Sequence, residues 1–222
     1  MSTELILLFI FIVEFLAIII LAKFPIRFVC GSIAINLLLI AGFGSTLIDF
    51  FGFTTNLGNV FYVAITFTFY ILFDKYGREV AKNAIWSSLF LTLLFIFVAK
   101  LSVLVQGAPA LTIPVSSRLI VASLLAFAVA QNVNLKIYER LSLLGDKNKL
   151  LLKMNISNIG TQIVDSLIFF PLAFYGVASS SVLGITLVGL AMKVLIGFLA
   201  TGLLYLDRAF INRANRVNRL SS

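Results

Sequence analysis

The sequence contains no histidine, a single cysteine and little charge. Only 12% of its 222 residues are Asp, Glu, Lys or Arg, against roughly 25% in soluble domains. Without histidine, neither a Ser-His-Asp hydrolase nor a His-ligated zinc site can be assembled. Cys30 has no second cysteine with which to form an intrachain disulfide or a thiolate metal site. We therefore predict that the chain is not an enzyme and that it uses no metal or cofactor.

Apolar side chains are abundant, at 61% of the residues. The core of a soluble domain of this size cannot enclose so many, whereas lipid solvates them at no cost. Spanning helices need about 20 residues each, so no soluble catalytic domain fits beside them. The predicted fold class is an all-α integral membrane protein in the plasma or inner membrane.

Uncharged apolar runs predict seven transmembrane helices, at residues 5–22, 29–48, 57–73, 85–105, 118–137, 156–177 and 182–206. We expect the first run to remain as a membrane span rather than to be a signal peptide, because Glu4 and no basic residue precedes it. We expect one transmembrane domain over residues 1–222. It comprises an additional N-terminal helix within 1–27, a six-helix transport core at 28–206 and a basic cytoplasmic tail at 207–222.

Basic residues alternate between the predicted loops. Fourteen of the 17 lie in the first, third and fifth connections and in the tail: Lys23, Arg27, Lys75, Arg78, Lys82, Lys136, Arg140, Lys147, Lys149, Lys153, Arg208, Arg213, Arg216 and Arg219. Cytoplasmic loops carry an excess of Lys and Arg, so we predict an outside N-terminus and a cytoplasmic C-terminus. This topology accounts for the net charge of +8 without a nucleic-acid partner.

Two opposite charges fall in the middle of the last two predicted helices. Lys193 lies about 16 Å into the seventh and Asp165 lies near the centre of the sixth. An unpaired charge at this depth costs on the order of 3 kcal/mol or more, so we predict that the two side chains pair. The pair is either a structural link between the helices or a substrate-binding or coupling pair in a central hydrated cavity; its polar neighbours favour the second.

Polar residues recur at helical spacing in two of the predicted helices, which places each set on one face. These sets are Asn155, Asn158, Gln162 and Asp165 in the sixth helix and Asn59, Tyr62, Thr66 and Tyr70 in the third. The fifth helix contributes Arg118, Ser123 and, near its inner end, Gln131, Asn132 and Asn134. Together they predict a cavity for a polar, planar solute. The candidate substrate-binding residues are Asp165, Lys193, Gln162, Asn158, Asn155, Arg118, Asn59, Tyr62 and Gln131.

Three charged residues have separate interpretations. Lys100 is expected to snorkel to the membrane interface, and Arg118 either does the same or serves the site. Glu14 lies inside the first predicted helix, where it is either a protonation site or a neutral hydrogen-bonding group in the helix packing. Gly77, in the turn after the third helix, is expected to adopt a positive φ.

Three stretches carry a resemblance to a known family. They are GFTTNLGN at 52–59 leading into DKYGR at 74–78; RLIVAS at 118–123 followed by Gln131; and KMNIS at 153–157 continuing through Gln162, Asp165 and Ser166 to FYG at 174–176. Over about residues 45–206 the chain resembles the queuosine precursor transporter family, also called the vitamin uptake transporter family; Lys193 and an extra N-terminal helix also fit.

This resemblance implies import of a 7-deazaguanine base, either a cyano or aminomethyl precursor of queuosine or queuine, for salvage into modified tRNA. Asp165 would accept hydrogen bonds from the guanine-like N1–H and amino edge, and Tyr62 would stack on the ring. The sequence has Tyr70, Asn134 and Ala200 where the family pattern leads us to expect acidic residues. The substrate and the coupling ion are therefore left open.

Two transport roles are compatible with the sequence. The chain is either a carrier that works by alternating access or the substrate-binding subunit of an energy-coupling vitamin uptake complex. It has no Gly-rich phosphate loop, so it hydrolyses no nucleotide itself. The expected partners are a purine-like base and membrane lipid, and a homodimer is left open.

Overall fold

The computed structural model describes residues 3–43, 46–50, 52–102, 117–144, 150–174, 184, 186–203 and 205. These residues form seven helices and one β-hairpin. The helices are α1 (Thr3–Leu21), α2 (Ile26–Phe43), α3 (Gly58–Tyr76), α4 (Arg78–Ser102), α5 (Ser117–Leu144), α6 (Leu150–Phe174) and α7 (Thr186–Leu203). The strands β1 (Leu47–Phe50) and β2 (Phe53–Asn56) pair antiparallel between α2 and α3.

Five of the described helices are long and apolar enough to cross a membrane, namely α1, α4, α5, α6 and α7. In α2 the apolar part is shorter, at Ile26–Ile40. In α3 the polar side chains lower the mean hydropathy along an otherwise apolar helix. The structure agrees with the predicted α-helical membrane protein.

Helix α3 lies at the centre of the bundle, where every residue from Gly58 to Leu72 is buried. It packs against α1, α2 and α4, and its tyrosines contact α5, α6 and α7. The outer helices α1 and α4 expose large side chains such as Phe9, Phe90 and Phe97. A membrane protein tolerates this arrangement because lipid solvates the apolar surface, while the other helices shield the polar side chains of α3.

Aromatic side chains fill the space between α1 and α3. Phe15 is fully buried, and its ring meets Phe67 edge-on with centroids 5.3 Å apart. Phe11 extends the contact, with its centroid 4.6 Å from that of Phe15. Since lipid tails are as apolar as these side chains, close van der Waals packing contributes most of the attraction between the helices.

The β-hairpin corrects the sequence prediction, which extends the second helix to Ile48. In the structure α2 ends at Phe43 and Ile48 lies on β1, paired with Thr55. Gly52 has a φ of +80° in the two-residue connection between the strands, a conformation that glycine adopts without steric cost. A short apolar run is compatible with either a strand or a helix, so counting apolar residues could not detect the hairpin.

Three helices extend beyond the predicted apolar runs. Helix α4 begins at Arg78 rather than residue 85, α5 reaches Leu144 rather than 137, and α6 begins at Leu150 rather than 156. The added helical turns contain charged residues, so a prediction based on uncharged apolar runs left them out. Gly77 has the expected positive φ, at +87°, between α3 and α4. The predicted boundaries at 105, 177, 182 and 206 and the basic tail at 207–222 lie outside the described residues.

Candidate functional site

An ion pair between α6 and α7 forms the centre of the candidate site. The Lys193 Nζ lies 2.8 Å from Asp165 Oδ2, and the side chains are only 15% and 7% exposed. Asp165 is eight residues, or about 12 Å, from Ala173 at the end of the apolar part of α6. Lys193 is seven residues, or about 10 Å, from the start of α7. The predicted pairing of these two charges is confirmed.

Tyr62 of α3 contacts both charges. Its hydroxyl donates to Asp165 Oδ1 at 2.9 Å, and its ring centroid is 4.2 Å from Lys193 Nζ. The ammonium therefore has a carboxylate on one side and the negative face of an aromatic ring on the other. Each oxygen of the Asp165 carboxylate therefore accepts one hydrogen bond, Oδ1 from Tyr62 and Oδ2 from Lys193. We call Tyr62, Asp165 and Lys193 the central cluster.

A chain of buried amide and hydroxyl groups starts beside the central cluster. Thr66, one turn along α3 from Tyr62, accepts at its Oγ1 a hydrogen bond of 2.8 Å from Gln131 Nε2 of α5. Asn134 Nδ2 donates to Gln131 Oε1 at 3.2 Å, one turn further along α5. Because Gln131 and Asn134 are fully buried, these bonds replace the water that the amides would otherwise need.

Tyr70 continues this chain toward the far end of α3. Its hydroxyl lies 2.9 Å from Asn134 Oδ1 and accepts a hydrogen bond from Ser157 Oγ at 2.9 Å. Its ring stacks on that of Tyr138, with centroids 4.9 Å apart. Sequence reasoning missed Ser157. The available signal was the four-residue spacing of Ser157, Thr161 and Asp165, all buried on one face of α6.

A second pair of amides lies on α6 beside the central cluster. Gln162 Nε2 donates to Asn158 Oδ1 at 3.0 Å, and both side chains are at least 95% buried. Among the described residues, Asn158 Nδ2 and Gln162 Oε1 have no hydrogen-bond partner. One turn away, Asn155 Oδ1 accepts from Thr201 Oγ1 of α7 at 3.3 Å. The face of α6 next to α7 therefore presents one unpartnered donor and one unpartnered acceptor.

Asn59 and Arg118 lie at the edge of this arrangement. Asn59 is buried and donates to Thr55 Oγ1 of the hairpin at 2.9 Å, about one turn from Tyr62. Arg118 is exposed at the start of α5, and its Nε donates to the carbonyl of Leu172 near the end of α6 at 2.8 Å. A cation there complements the negative end of the α6 dipole. The structure does not bring Arg118 to the central cluster.

The site residues contact one another directly, whereas the sequence analysis expects them to line an open cavity. Two grooves on the described part of the chain have volumes of about 320 and 340 Å³. One lies between α2 and α4 at Cys30 and Ser88, and the other beside Arg118 and Leu172. Neither groove includes a member of the central cluster. In this conformation the polar side chains satisfy most of their hydrogen-bonding capacity within the protein.

Comparison with known proteins identifies the family. A sequence profile described as "putative vitamin uptake transporter" matches residues 56–206. The chain belongs to the vitamin uptake transporter family. It is also 32% identical over 144 residues to a Bacillus subtilis (strain 168) protein named "probable queuosine precursor transporter"; the match covers 61% of this chain and 63% of that relative. No solved structure matches the chain.

Membership of the vitamin uptake transporter family agrees with the resemblance noted in the sequence. The family and the Bacillus relative are transporters rather than enzymes, and the apolar helices are those of a multi-pass membrane protein. The matched region contains the central cluster and both groups of amides. It excludes α1 and α2, which end before residue 56.

Proposed function

We propose that this protein is a transporter that carries a purine-like base of the 7-deazaguanine class across the cell membrane, with the central cluster at its binding site. The observation that carries the proposal is the contact of Tyr62 with both members of the Asp165–Lys193 pair inside the bundle. The name of the Bacillus relative supports a queuosine precursor as the substrate. Intramembrane charges of this kind typically mark substrate or ion pathways.

The hydrogen bonds of Asp165 resemble those that a guanine-like edge would supply. Its two oxygens accept from Tyr62 and from Lys193, while the N1–H and 2-amino groups of the base present two neighbouring donors. We propose that the base replaces these two donors on the carboxylate. The Tyr62 ring then stacks on the heterocycle, and Lys193 turns to the carbonyl oxygen of the base.

The amides of Asn158 and Gln162 would contribute to the same binding site. Leaving a buried polar group without a partner costs about 1–3 kcal/mol. A ligand that accepts from Asn158 Nδ2 and donates to Gln162 Oε1 would recover part of this free energy. A purely structural ion pair between α6 and α7 does not require these open positions, so they favour a binding role.

We further propose seven transmembrane helices in one domain, with an outside N-terminus and a cytoplasmic C-terminus. Contacts between helix ends support this topology. Lys75 at the end of α3 donates to the Ala22 carbonyl just after α1, and Arg78 at the start of α4 pairs with Glu139 near the end of α5 at 3.1 Å. These four ends lie on one side, where the basic residues concentrate, as the positive-inside rule requires.

Binding is tested with the purified full-length protein in detergent. Guanine and the 7-deazaguanine bases are added while the melting temperature is followed, with uracil as the planar control ligand. A ligand at 100 times its Kd stabilises the folded state by about 2.7 kcal/mol. We expect this stabilisation in the wild type and in the exposed control variant Glu79→Gln, but not in Asp165→Asn or Lys193→Ala. Normal binding by both site variants would refute the proposed site.

Transport is tested with proteoliposomes that contain only this chain. Uptake of the base that raises the melting temperature would support a carrier. Binding without uptake would instead support a substrate-binding subunit that depends on a separate energy-coupling module. If none of the bases either binds or is taken up, the proposed substrate class is wrong.

A further inference from the structure

A second membrane-embedded carboxyl group lies apart from the central cluster. Glu14 is on α1, ten residues from Glu4 and seven from Leu21, or about 15 Å and 10 Å from the ends of this apolar segment. Its Oε1 accepts a hydrogen bond from Asn36 Nδ2 of α2 at 2.6 Å. Asn36 is only 1% exposed. The two helices therefore meet through a carboxyl and an amide at membrane depth.

The hydrogen bonds of Asn36 are incomplete. Its Nδ2 donates to Glu14 and also to the Ser32 carbonyl at 3.0 Å, whereas its Oδ1 is buried with no partner among the described residues. Exchanging the amide oxygen and nitrogen would place the oxygen against two acceptors, so the hydrogen bonds favour the present orientation. A buried acceptor is left open on the amide that already contacts the Glu14 carboxyl.

The surroundings of Glu14 provide no positive charge to balance an ionised carboxylate. Glu14 forms no ion pair with any described residue, and ion pairs such as Lys193–Asp165 and Arg78–Glu139 lie on other helices. On α3, the apolar side chain of Phe67 contacts Phe15, the residue next to Glu14 on α1. The other titratable side chains of α1, α2, α3, β1 and the α1–α2 connection lie elsewhere: near helix ends, on the hairpin, along the α2–α4 groove or among the buried polar groups of α3. They are Glu4, Lys23, Arg27, Cys30, Asp49, Tyr62, Tyr70, Asp74, Lys75 and Tyr76.

We propose that Glu14 and Asn36 form a proton-binding site within the membrane. The proton bonds to Glu14 Oε2, which removes the negative charge, and the resulting O–H donates to Asn36 Oδ1. The Asn36 N–H continues to donate to Oε1, so the carboxylic acid and the amide are joined by two reciprocal hydrogen bonds. Binding breaks no covalent bond and requires no other reactant. It satisfies the open acceptor and avoids the cost of an unpaired charge in lipid.

This site is independent of the proposed transport function. It lies outside residues 56–206, the region that matches the family, so it is a feature of the two N-terminal helices. Loss of the proton would leave an unpaired charge in lipid and would leave Asn36 Oδ1 without its proposed donor. The contact between α1 and α2 therefore depends on the bound proton.

Infrared spectroscopy of the full-length protein in lipid bilayers tests the proton site. At pH 7 we expect a carbonyl stretch from a protonated carboxylic acid in the wild type and in Glu79→Gln, whose side chain is exposed on α4. The band should disappear in Glu14→Gln. In Asn36→Leu the band should move to higher wavenumber or be lost, because the acid no longer donates to the amide. Identical spectra of the wild type and Glu14→Gln in this region would overturn the proposal.

The Glu14→Gln variant also provides a stability test, because a glutamine amide reproduces both hydrogen bonds of the protonated acid. We expect it to fold and to melt at least as high as the wild type. A melting temperature of Glu14→Gln well below that of the wild type would contradict a protonated carboxyl group at this position.

Discussion

Gly197 of α7 lies directly against the side-chain amide of Asn158 on α6. A Cβ built at position 197 overlaps Asn158 Nδ2 and lies 2.9 Å from its Cγ. Small residues at helix contacts allow membrane helices to approach closely. The same two helices carry the Asp165–Lys193 pair, so the spacing at Gly197 helps to set the 2.8 Å distance between the charges.

Replacing Gly197 with alanine should therefore damage the site. The added methyl group displaces Asn158 and separates it from Gln162, at a cost of about 1–3 kcal/mol for overpacking. We expect a lower melting temperature and a smaller ligand-induced shift, measured by thermal unfolding with and without base. The control is Gly202→Ala on the same helix, where an added Cβ meets nothing within 4 Å. Equal effects at the two positions would show that the close contact is unimportant.

Neutralising the central ion pair separates its contribution to stability from its contribution to binding. Removing one partner leaves a buried charge, so Asp165→Asn and Lys193→Met should each cost about 3–5 kcal/mol of unfolding free energy. The double variant buries no charge and should recover most of this stability. We expect none of the three proteins to bind the base in the thermal-shift assay. Wild-type affinity in the double variant would mean that the pair is only structural.

Two substitutions of Tyr62 distinguish its hydroxyl from its ring. Tyr62→Phe removes the hydrogen bond to Asp165 but keeps the ring next to Lys193. In the proposed complex the base replaces the Tyr62 hydroxyl on Asp165, so this variant should bind the base at least as tightly as the wild type. Tyr62→Leu also removes the stacking surface and should abolish binding. Titrations that give equal affinities for the two variants would exclude a stacking role.

The Tyr70 hydroxyl is expected to matter for stability. Tyr70→Phe leaves Asn134 Oδ1 without this donor and removes one of the two acceptors of Ser157 Oγ, which keeps the Met154 carbonyl at 3.1 Å. Unfolding in detergent should show a loss of about 1–3 kcal/mol, the cost of unsatisfied buried groups. The matched control is Tyr76→Phe at the exposed end of α3, which should unfold like the wild type. No difference between the two variants would contradict the inferred importance of the buried hydrogen bonds.

The proposed topology predicts on which side of the membrane each terminus lies. A reporter fused after Ser222 should be active in the cytoplasm, because the alternation of basic loops places the tail there. A second fusion before Met1 should report the external side. An external signal from the C-terminal fusion would overturn the seven-helix count, whatever the outcome at the binding site.

Several site features could be predicted because lipid imposes strict requirements on a sequence. Long apolar runs and alternating basic loops predicted the helices, since a spanning segment must satisfy its backbone internally and exclude charge. The same requirement predicted that Asp165 and Lys193 pair, because either alone would be costly at that depth. Helical spacing also placed Tyr62, Thr66 and Tyr70 on one face of α3.

Only the tertiary structure decided which faces meet. It placed α3 at the centre, joined Tyr62 to Asp165 and Tyr70 to Asn134, and kept Arg118 away from the central cluster. It also replaced the end of the predicted second helix with a hairpin. In water, an apolar face shows which side of a helix is buried. In a membrane both lipid and the protein interior are apolar, so the sequence pattern does not fix the rotation or the neighbours of a helix; close packing and interhelical hydrogen bonds do.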